Sequence, residues 1–193
     1  MKIAGVRPRK IEIEPGTVVN LWAPTRTSNK SKNAVVFFHG FVGDGIITWQ
    51  FQVLALARKY AVYVPDLLFF SSSTTGDCCR TVDFQAECVA KGMAVLGLQR
   101  CTVVGFSYCG MVAFNLAESQ PELVESVVVT CSVPASTKSI SKECLERLGS
   151  PTWSELLLPN SVGGVKKMLE VGSHKLPRFP NRVFKDGLEV RAP

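Results

Sequence analysis

The sequence of 193 residues has little of what membrane, secreted or metal-binding proteins require. No stretch approaches the roughly 18 consecutive apolar residues of a membrane-spanning helix, and residues 1–10 lack the apolar segment of a secretory signal. The seven cysteines are odd in number and include no CxxC pair or zinc-finger spacing, and there are only two histidines. We therefore predict a cytoplasmic protein with reduced cysteines and with no membrane span, metal ion or cofactor.

The basic excess of the chain is divided between its two ends. Lysine and arginine number 22 against 16 aspartates and glutamates, a net charge of +6. Residues 1–33 and 134–193 are basic, whereas residues 34–133 hold five basic and eight acidic side chains. A nucleic-acid binder concentrates basic residues along one groove or helix and interleaves them with aromatics, which this chain does not do. Nucleic acid is therefore not a predicted partner, and the oligomeric state is left open.

Apolar runs typical of buried strands alternate with helical periodicity over the first two thirds of the chain. The predicted strands are residues 34–38, 61–64, 101–104 and 124–130. The predicted helices are residues 51–58, 82–96 and 111–117, the second of them with Thr81 as its N-cap. Strands separated by helices imply right-handed crossovers, so we predict an α/β fold with a mostly parallel sheet and flanking helices.

Two other patterns flank this alternation. Two extended runs between Lys10 and Trp22 surround a Pro-Gly pair, which predicts an N-terminal antiparallel hairpin. After Pro134 the strands stop, and short helices linked by proline and glycine follow. The chain is therefore expected to divide into a core, residues 1–134, and a helical region, residues 135–193.

Three predicted strand ends carry residues suited to chemistry: His39-Gly40-Phe41, Pro65-Asp66 and Gly105-Phe106-Ser107. Ligands of open α/β folds bind at the carboxyl ends of the strands. In the third motif the chain passes from strand through a tight turn into a helix, with Ser107 at the apex. A serine on such a turn projects its hydroxyl above the sheet, beside the N–H groups of the helix N-terminus.

On these motifs the sequence resembles the α/β-hydrolase superfamily over nearly its whole length. The resemblance is to a plant group of lipase-like and carbon-carbon-bond-hydrolase-like members in particular. The motifs are Val36–Phe41 (VFFHGF), Trp49–Gln52 (WQFQ), Val62–Phe70 (VYVPDLLFF) and the turn around Ser107.

The resemblance implies an α/β-hydrolase fold in which Ser107 is the nucleophile of carboxylic-ester hydrolysis. It implies that His39 and Gly40 form the oxyanion loop and that the N–H groups of Phe41 and Tyr108 form the oxyanion hole. It also implies that the helical region is a cap over an apolar pocket, so a small apolar ester is the expected substrate.

The sequence departs from the family pattern at two positions. Cys109 stands where the G-x-S-x-G motif has its second glycine, between Gly105 and Gly110, which support the turn. Ser71 stands where relatives have the glycine of a Phe-Phe-Gly motif. Cys109 either pushes the following helix outward and misplaces the N–H of Tyr108, or is tolerated because cysteine is small.

The partners that a serine nucleophile needs are missing from the sequence, since serine requires a base and the base an orienting acid. His39 is expected to brace its own loop, and His174 to lie on the surface. Asp66 is expected to brace a loop, and Asp44 has no histidine partner. In the family the acid and base follow the cap, so we expect a C-terminally truncated serine hydrolase that is weakly active or inactive. The alternative is a non-catalytic module that binds a small ligand or a protein.

Overall fold

The computed structural model describes residues 4–25, 32–41, 43–134, 136–175 and 178–189, the side chains of residues 186, 187 and 189 excepted. The chain splits into two compact units, which divide between Ala135 and Ser136. The described strands lie in the first unit, and the second unit consists of helices and their connections.

A six-stranded sheet with the order β1-β2-β4-β3-β5-β6 forms the centre of the first unit. Its strands are β1 (Val6–Glu14), β2 (Thr17–Pro24), β3 (Ala34–Phe38), β4 (Ala61–Pro65), β5 (Cys101–Phe106) and β6 (Val124–Thr130). β1 and β2 form an antiparallel hairpin, and β2 joins β4 antiparallel. β3 pairs in parallel with β4 and β5, and β5 with β6. The predicted hairpin and mostly parallel sheet are confirmed.

Helices cover both faces of the parallel strands. They are α1 (Gly45–Leu56), α2 (Val82–Val95) and α3 (Tyr108–Ser119). Alternate residues of a strand face opposite sides of a sheet, so Phe37 packs with Trp49 and Val53 of α1. The next residue, Phe38, faces the opposite side of the sheet and packs in a second apolar core, to which α2 and α3 contribute side chains. Burial on both faces explains why these strands are continuous apolar runs.

The starts of the helices follow from their capping residues. The carboxylate of Asp44 accepts a hydrogen bond from the N–H of Ile47 at 2.7 Å, so α1 begins at Gly45, earlier than the predicted residue 51. The hydroxyl of Thr81 accepts from the N–H of Phe84 at 3.2 Å, which confirms the predicted cap of α2.

The second unit contains four helices among its described residues. They are α4 (Lys138–Leu148), α5 (Trp153–Leu157), α6 (Val162–Gly172) and α7 (Asn181–Glu189). Val165 and Met168 of α6 pack with Phe184 of α7 in a small apolar core. In neither unit is a described helix both long and apolar enough to cross a bilayer.

Candidate active site

Ser107 occupies the turn between β5 and α3 in a backbone conformation that is rare for residues with a side chain. Its φ is 55° and its ψ is −127°. Two hydrogen bonds hold the turn: the N–H of Ser107 donates to the carbonyl of Thr130 at 3.0 Å, and its carbonyl accepts from Gly110 at 2.9 Å. The hydroxyl caps no N–H of α3 and has no hydrogen-bond partner in the described part of the chain. This hydroxyl is therefore free to react at the carboxyl end of β5.

Two glycines allow β5 and α3 to meet closely at this turn. A Cβ atom at Gly105 would lie 2.8 Å from the carbonyl oxygen of Cys109 and 2.8 Å from the Cα of Gly110. A Cβ atom at Gly110 would collide with Ser132 and come within 2.9 Å of Val129 Cγ1. A side chain at either glycine would therefore move the helix that begins beside Ser107.

The loop that follows β3 lies directly against Ser107. A Cβ atom at Gly40 would be 2.8 Å from Phe106 Cδ1 and 3.4 Å from the Cβ of Ser107. The N–H groups of Phe41 and Tyr108 donate no hydrogen bond to any residue that the structure describes. One unpaired N–H is thus next to Gly40 in sequence, and the other next to Ser107.

His39 is fully buried, and both of its ring nitrogens have partners. Nε2 accepts a hydrogen bond from the N–H of Leu67 at 3.1 Å, so Nδ1 carries the proton and donates to the carbonyl of Gly40 at 2.7 Å. Burial lowers the pKa of His39 below its ordinary value, although the Gly40 bond and nearby Asp66 and Asp44 oppose this shift. His39 is consequently a neutral brace of its loop and has no free nitrogen to accept a proton from Ser107.

Asp66 is likewise committed to structural contacts. One carboxylate oxygen accepts from the side-chain amide of Asn20 at 2.7 Å and the other from the N–H of Gly45 at 2.8 Å. These bonds join β2 to the start of α1. The roles of Asn20 and Gly45 were not predictable from local sequence, because they lie 46 and 21 residues from Asp66.

A tryptophan packs behind the turn. The indole ring of Trp49 lies edge-on to Phe106, with ring centroids 6.3 Å apart, and tilted against Phe37 at 4.9 Å. Its Nε1 is buried and has no hydrogen-bond partner among the described residues. Trp49 thus contacts the residue that directly precedes Ser107.

Residues 33–156 match the family described as alpha/beta hydrolase fold. The chain belongs to this family. A pimeloyl-[acyl-carrier protein] methyl ester esterase of Aeromonas hydrophila is 32% identical over 100 residues, which are 52% of this chain and 38% of that protein. An uncharacterised protein of Mycobacterium tuberculosis is 32% identical over 112 residues, or 56% of this chain and 31% of that protein. The chain therefore spans only about a third of the length of these curated relatives.

Solved structures share the same fold. A membrane phospholipase A, described as a bacterial virulence factor, superposes with a TM-score of 0.76 at 22% identity. The match covers 97% of this chain and 60% of the phospholipase chain. The 2-hydroxy-6-oxo-6-phenylhexa-2,4-dienoate hydrolase of a Rhodococcus species has a TM-score of 0.76 at 20% identity, covering 97% of this chain and 67% of its own. At these identities the likeness establishes the α/β-hydrolase fold, as the sequence predicted.

Cys109, the first departure from the motif of α/β hydrolases, is a residue of α3 and is completely buried in the core that α3 shares with α2. Burial raises the pKa of its thiol far above the ordinary range, so the thiol stays protonated and packs as a small apolar group. α3 runs without interruption from Tyr108 to Ser119. The described helix accommodates the cysteine.

The second departure from the α/β-hydrolase pattern lies in a tight loop after β4. Ser71 has a φ of 51°, in the left-handed region that favours glycine, and Phe69 has a φ of 70°. Glycine adopts this conformation without strain, in agreement with the glycine that the resemblance implies at position 71. Phe70, between them, packs edge-on against the rings of His39 at 5.0 Å and Phe41 at 5.8 Å. This supporting role of Phe70 was not predicted from the sequence.

The second histidine of the chain belongs to the second unit. His174 lies there and is exposed. A surface depression of about 590 Å³ lies in this unit. Its lining residues are Ser136, Thr137, Lys138, Ser141, Lys142, Leu145, Glu146, Ser150 and Pro151.

Proposed function

We propose that this chain carries the nucleophile and the oxyanion hole of a serine hydrolase of the lipase or esterase type. The observation that carries the proposal is the backbone of Ser107, with a φ of 55° and a ψ of −127° at a turn from strand to helix. This turn leaves the hydroxyl without a hydrogen-bond partner among the described residues. In this role the Ser107 oxygen attacks the carbonyl carbon of an ester and forms an acyl-enzyme.

The oxyanion hole of this proposal consists of the N–H groups of Phe41 and Tyr108. Both are without acceptors in the described structure, and Gly40 brings the first loop against the Ser107 turn. Tyr108 is the first residue of the 12-residue helix α3, whose N-terminus favours negative charge. Two such donors stabilise the oxyanion that develops when Ser107 attacks.

We further propose that the chain hydrolyses esters weakly or not at all. A serine hydroxyl is a poor nucleophile until a base takes its proton. His39 has both ring nitrogens occupied, and the loop after β6, Cys131 to Pro134, contains no carboxylate. Nucleophile and oxyanion hole alone leave about 10³- to 10⁴-fold acceleration over water, far below a complete triad.

A fluorophosphonate probe tests both parts of this proposal. We expect slow labelling of the wild type, its loss in Ser107→Ala, and no change in Ser72→Ala, a control at an exposed serine outside the turn. Added imidazole, which supplies the missing base in solution, should accelerate labelling of the wild type but not of Ser107→Ala.

The outcomes separate the two claims. Equal labelling of wild type and Ser107→Ala, with or without imidazole, would show that Ser107 is not the nucleophile. Fast labelling of the wild type without imidazole, lost in Ser107→Ala, would show that the chain is an active hydrolase after all.

The finer predictions from the motifs remain part of this proposal. They are membership of the plant lipase-like and carbon-carbon-bond-hydrolase-like group, a cytoplasmic location and a cap formed by residues 135–193. The substrate class that fits the fold is a small apolar ester. Release of acid from p-nitrophenyl esters of increasing chain length, compared with Ser107→Ala, measures the preference for apolar acyl groups.

A non-catalytic binding role is the second candidate. It is favoured by one observation: both ring nitrogens of His39, the histidine of the first unit, already have hydrogen-bond partners. In that case an apolar ester analogue should raise the melting temperature of both wild type and Ser107→Ala, and neither protein should release product.

A further inference from the structure

We propose that Cys78 and Cys79 form a redox-sensitive dithiol, which a hydroperoxide oxidises to a disulfide between the two adjacent residues. Cys78 is exposed and Cys79 partly exposed, and both thiols are free. They are the only two cysteines that are neighbours in the sequence. The site lies in the loop that leads into α2 and does not depend on the reactivity of Ser107.

The reaction balances with one hydroperoxide, ROOH. One cysteine sulfur attacks the O–O bond, which gives a sulfenic acid and the alcohol ROH. The second sulfur then displaces the sulfenic oxygen, which leaves as water while the S–S bond forms. Two thiols lose two hydrogens and two electrons, and the peroxide is reduced to ROH and water.

The geometry of adjacent residues makes this disulfide easy to reverse. The Cα atoms of neighbours are about 3.8 Å apart across a trans peptide, shorter than the roughly 4.4 to 6.8 Å that disulfides prefer. Strain of this kind raises the reduction potential, so thiols reduce such a bond readily. The pair is therefore suited to a switch rather than to a permanent crosslink.

Contacts of the reduced loop would change when the disulfide forms. The N–H of Cys79 donates to the carboxylate of Asp77 at 2.7 Å, and its sulfur lies 3.4 Å from the hydroxyl of Thr81. The next residue, Arg80, places its guanidinium 3.9 Å from the centre of the Phe69 ring. Closing the small ring between Cys78 and Cys79 turns both the Cys79 sulfur and its backbone, so these contacts cannot all persist.

This loop connects to the candidate oxyanion loop through aromatic contacts. Phe69, under Arg80, precedes Phe70, whose ring packs against His39 and Phe41. Oxidation that moves Arg80 removes the cation from one face of Phe69. We expect the Phe69 to Ser71 segment, which already holds two residues at positive φ, to open more often.

The remaining cysteines lack the features of this pair. Burial raises the pKa of Cys88 and of Cys101 to about 11, and Cys109 is buried as well. Their thiols react slowly, because the thiolate is the reactive form. Cys131 is exposed and Cys144 partly exposed, but neither has a neighbouring cysteine in the sequence. Cys131 therefore serves as the matched control.

Peptide mass spectrometry tests the proposal on the full chain. Cleavage after Lys59 and Arg80 releases residues 60–80, in which Cys78 and Cys79 are the only cysteines. After one equivalent of hydrogen peroxide and alkylation, we expect this peptide unalkylated and about 2 Da lighter than its reduced form. Dithiothreitol should restore both thiols. Neither Cys78→Ser nor Cys79→Ser should show this mass decrease of the peptide after peroxide, whereas Cys131→Ser should show it as the wild type does.

Hydrogen exchange measures the predicted effect on the neighbouring loop. Amides of residues 69–71 should exchange faster in the oxidised wild type than in the reduced protein, and peroxide should have no such effect on Cys78→Ser. A disulfide that leaves this exchange unchanged would overturn the link to the loop. Full alkylation of residues 60–80 after peroxide, or a covalent dimer through either cysteine, would overturn the dithiol site itself. Neither readout requires Ser107 to be a nucleophile.

Discussion

Gly40 packs so tightly against Phe106 that a single added methyl group would lie 2.8 Å from the phenyl ring. Phe106 cannot withdraw freely, because Trp49 packs against it. We expect Gly40→Ala to lower the free energy of unfolding by about 1 to 3 kcal/mol and to slow fluorophosphonate labelling of Ser107. Urea titration measures the first effect. Gly76→Ala is the control, since a Cβ atom there meets nothing within 4 Å; equal losses in both variants would contradict the packing argument.

Ser71→Gly should stabilise the protein, because Ser71 has a φ of 51°. The left-handed conformation costs a residue with a side chain roughly 1 to 2 kcal/mol, and part of this gain is offset by the greater chain entropy of glycine. A net increase of about 0.5 to 1 kcal/mol in the free energy of unfolding is expected. The same substitution at exposed Ser72, which has no positive φ, should not stabilise. Similar gains at both positions would rule out backbone strain as the cause.

Asp66→Asn should destabilise the first unit. The carboxylate accepts hydrogen bonds from Asn20 and Gly45, and an asparagine would present its own N–H₂ group to one of these donors. Loss of a buried bond to a charged acceptor costs about 1.5 to 3 kcal/mol, which chemical denaturation can resolve. Asp44→Asn is the comparison: asparagine caps helices as well as aspartate, so this variant should remain near wild-type stability. If Asp66→Asn is equally neutral, the carboxylate does not hold β2 to α1.

Stability should fall as the solution is acidified through the range in which histidine titrates. Burial lowers the pKa of His39 in the folded state, so below the unfolded pKa the unfolded chain binds a proton that the folded chain does not. This difference in proton binding has no effect on the free energy of unfolding above about pH 7, and it lowers that free energy progressively from about pH 6.5 downwards. Free energies of unfolding measured between about pH 5 and 8 give the slope.

The matched variants assign that slope to one residue. His39→Gln should weaken the pH dependence, although it lowers stability by disturbing the bonds to Gly40 and Leu67. His174→Gln, at an exposed position, should keep the wild-type profile. A slope that disappears in His174→Gln instead would exclude His39 as its source.

Local sequence was enough to predict the sheet and the strand-turn-helix arrangement at Ser107. The β-strands around His39 and Ser107 are continuous apolar runs because both faces of the sheet are covered, and a run of that kind is visible without any partner. The turn at Ser107 is likewise local, since strand, serine and helix follow one another in the chain.

Contacts between distant segments could not be predicted from the sequence. Nothing near Asp66 indicates that Asn20 and Gly45 supply its donors, because the pairing depends on how β2 and α1 meet. The start of α1 was placed too late, at residue 51, because the buried face of the helix begins at Gly45, whose missing side chain gives no apolar signal. The conformation of Ser71 also escaped prediction, since serine gives no signal for a positive φ.

The indole ring of Trp49 gives the protein a fluorescence signal beside its candidate active site. The nitrogen is buried without an acceptor among the described residues, and the ring touches Phe106. Of the three tryptophans in the sequence, Trp49 has the most apolar and enclosed surroundings, so it should emit at the shortest wavelength. A molecule that displaces Phe106 while binding beside Ser107 should alter this blue emission, which makes occupancy measurable by fluorescence without a label.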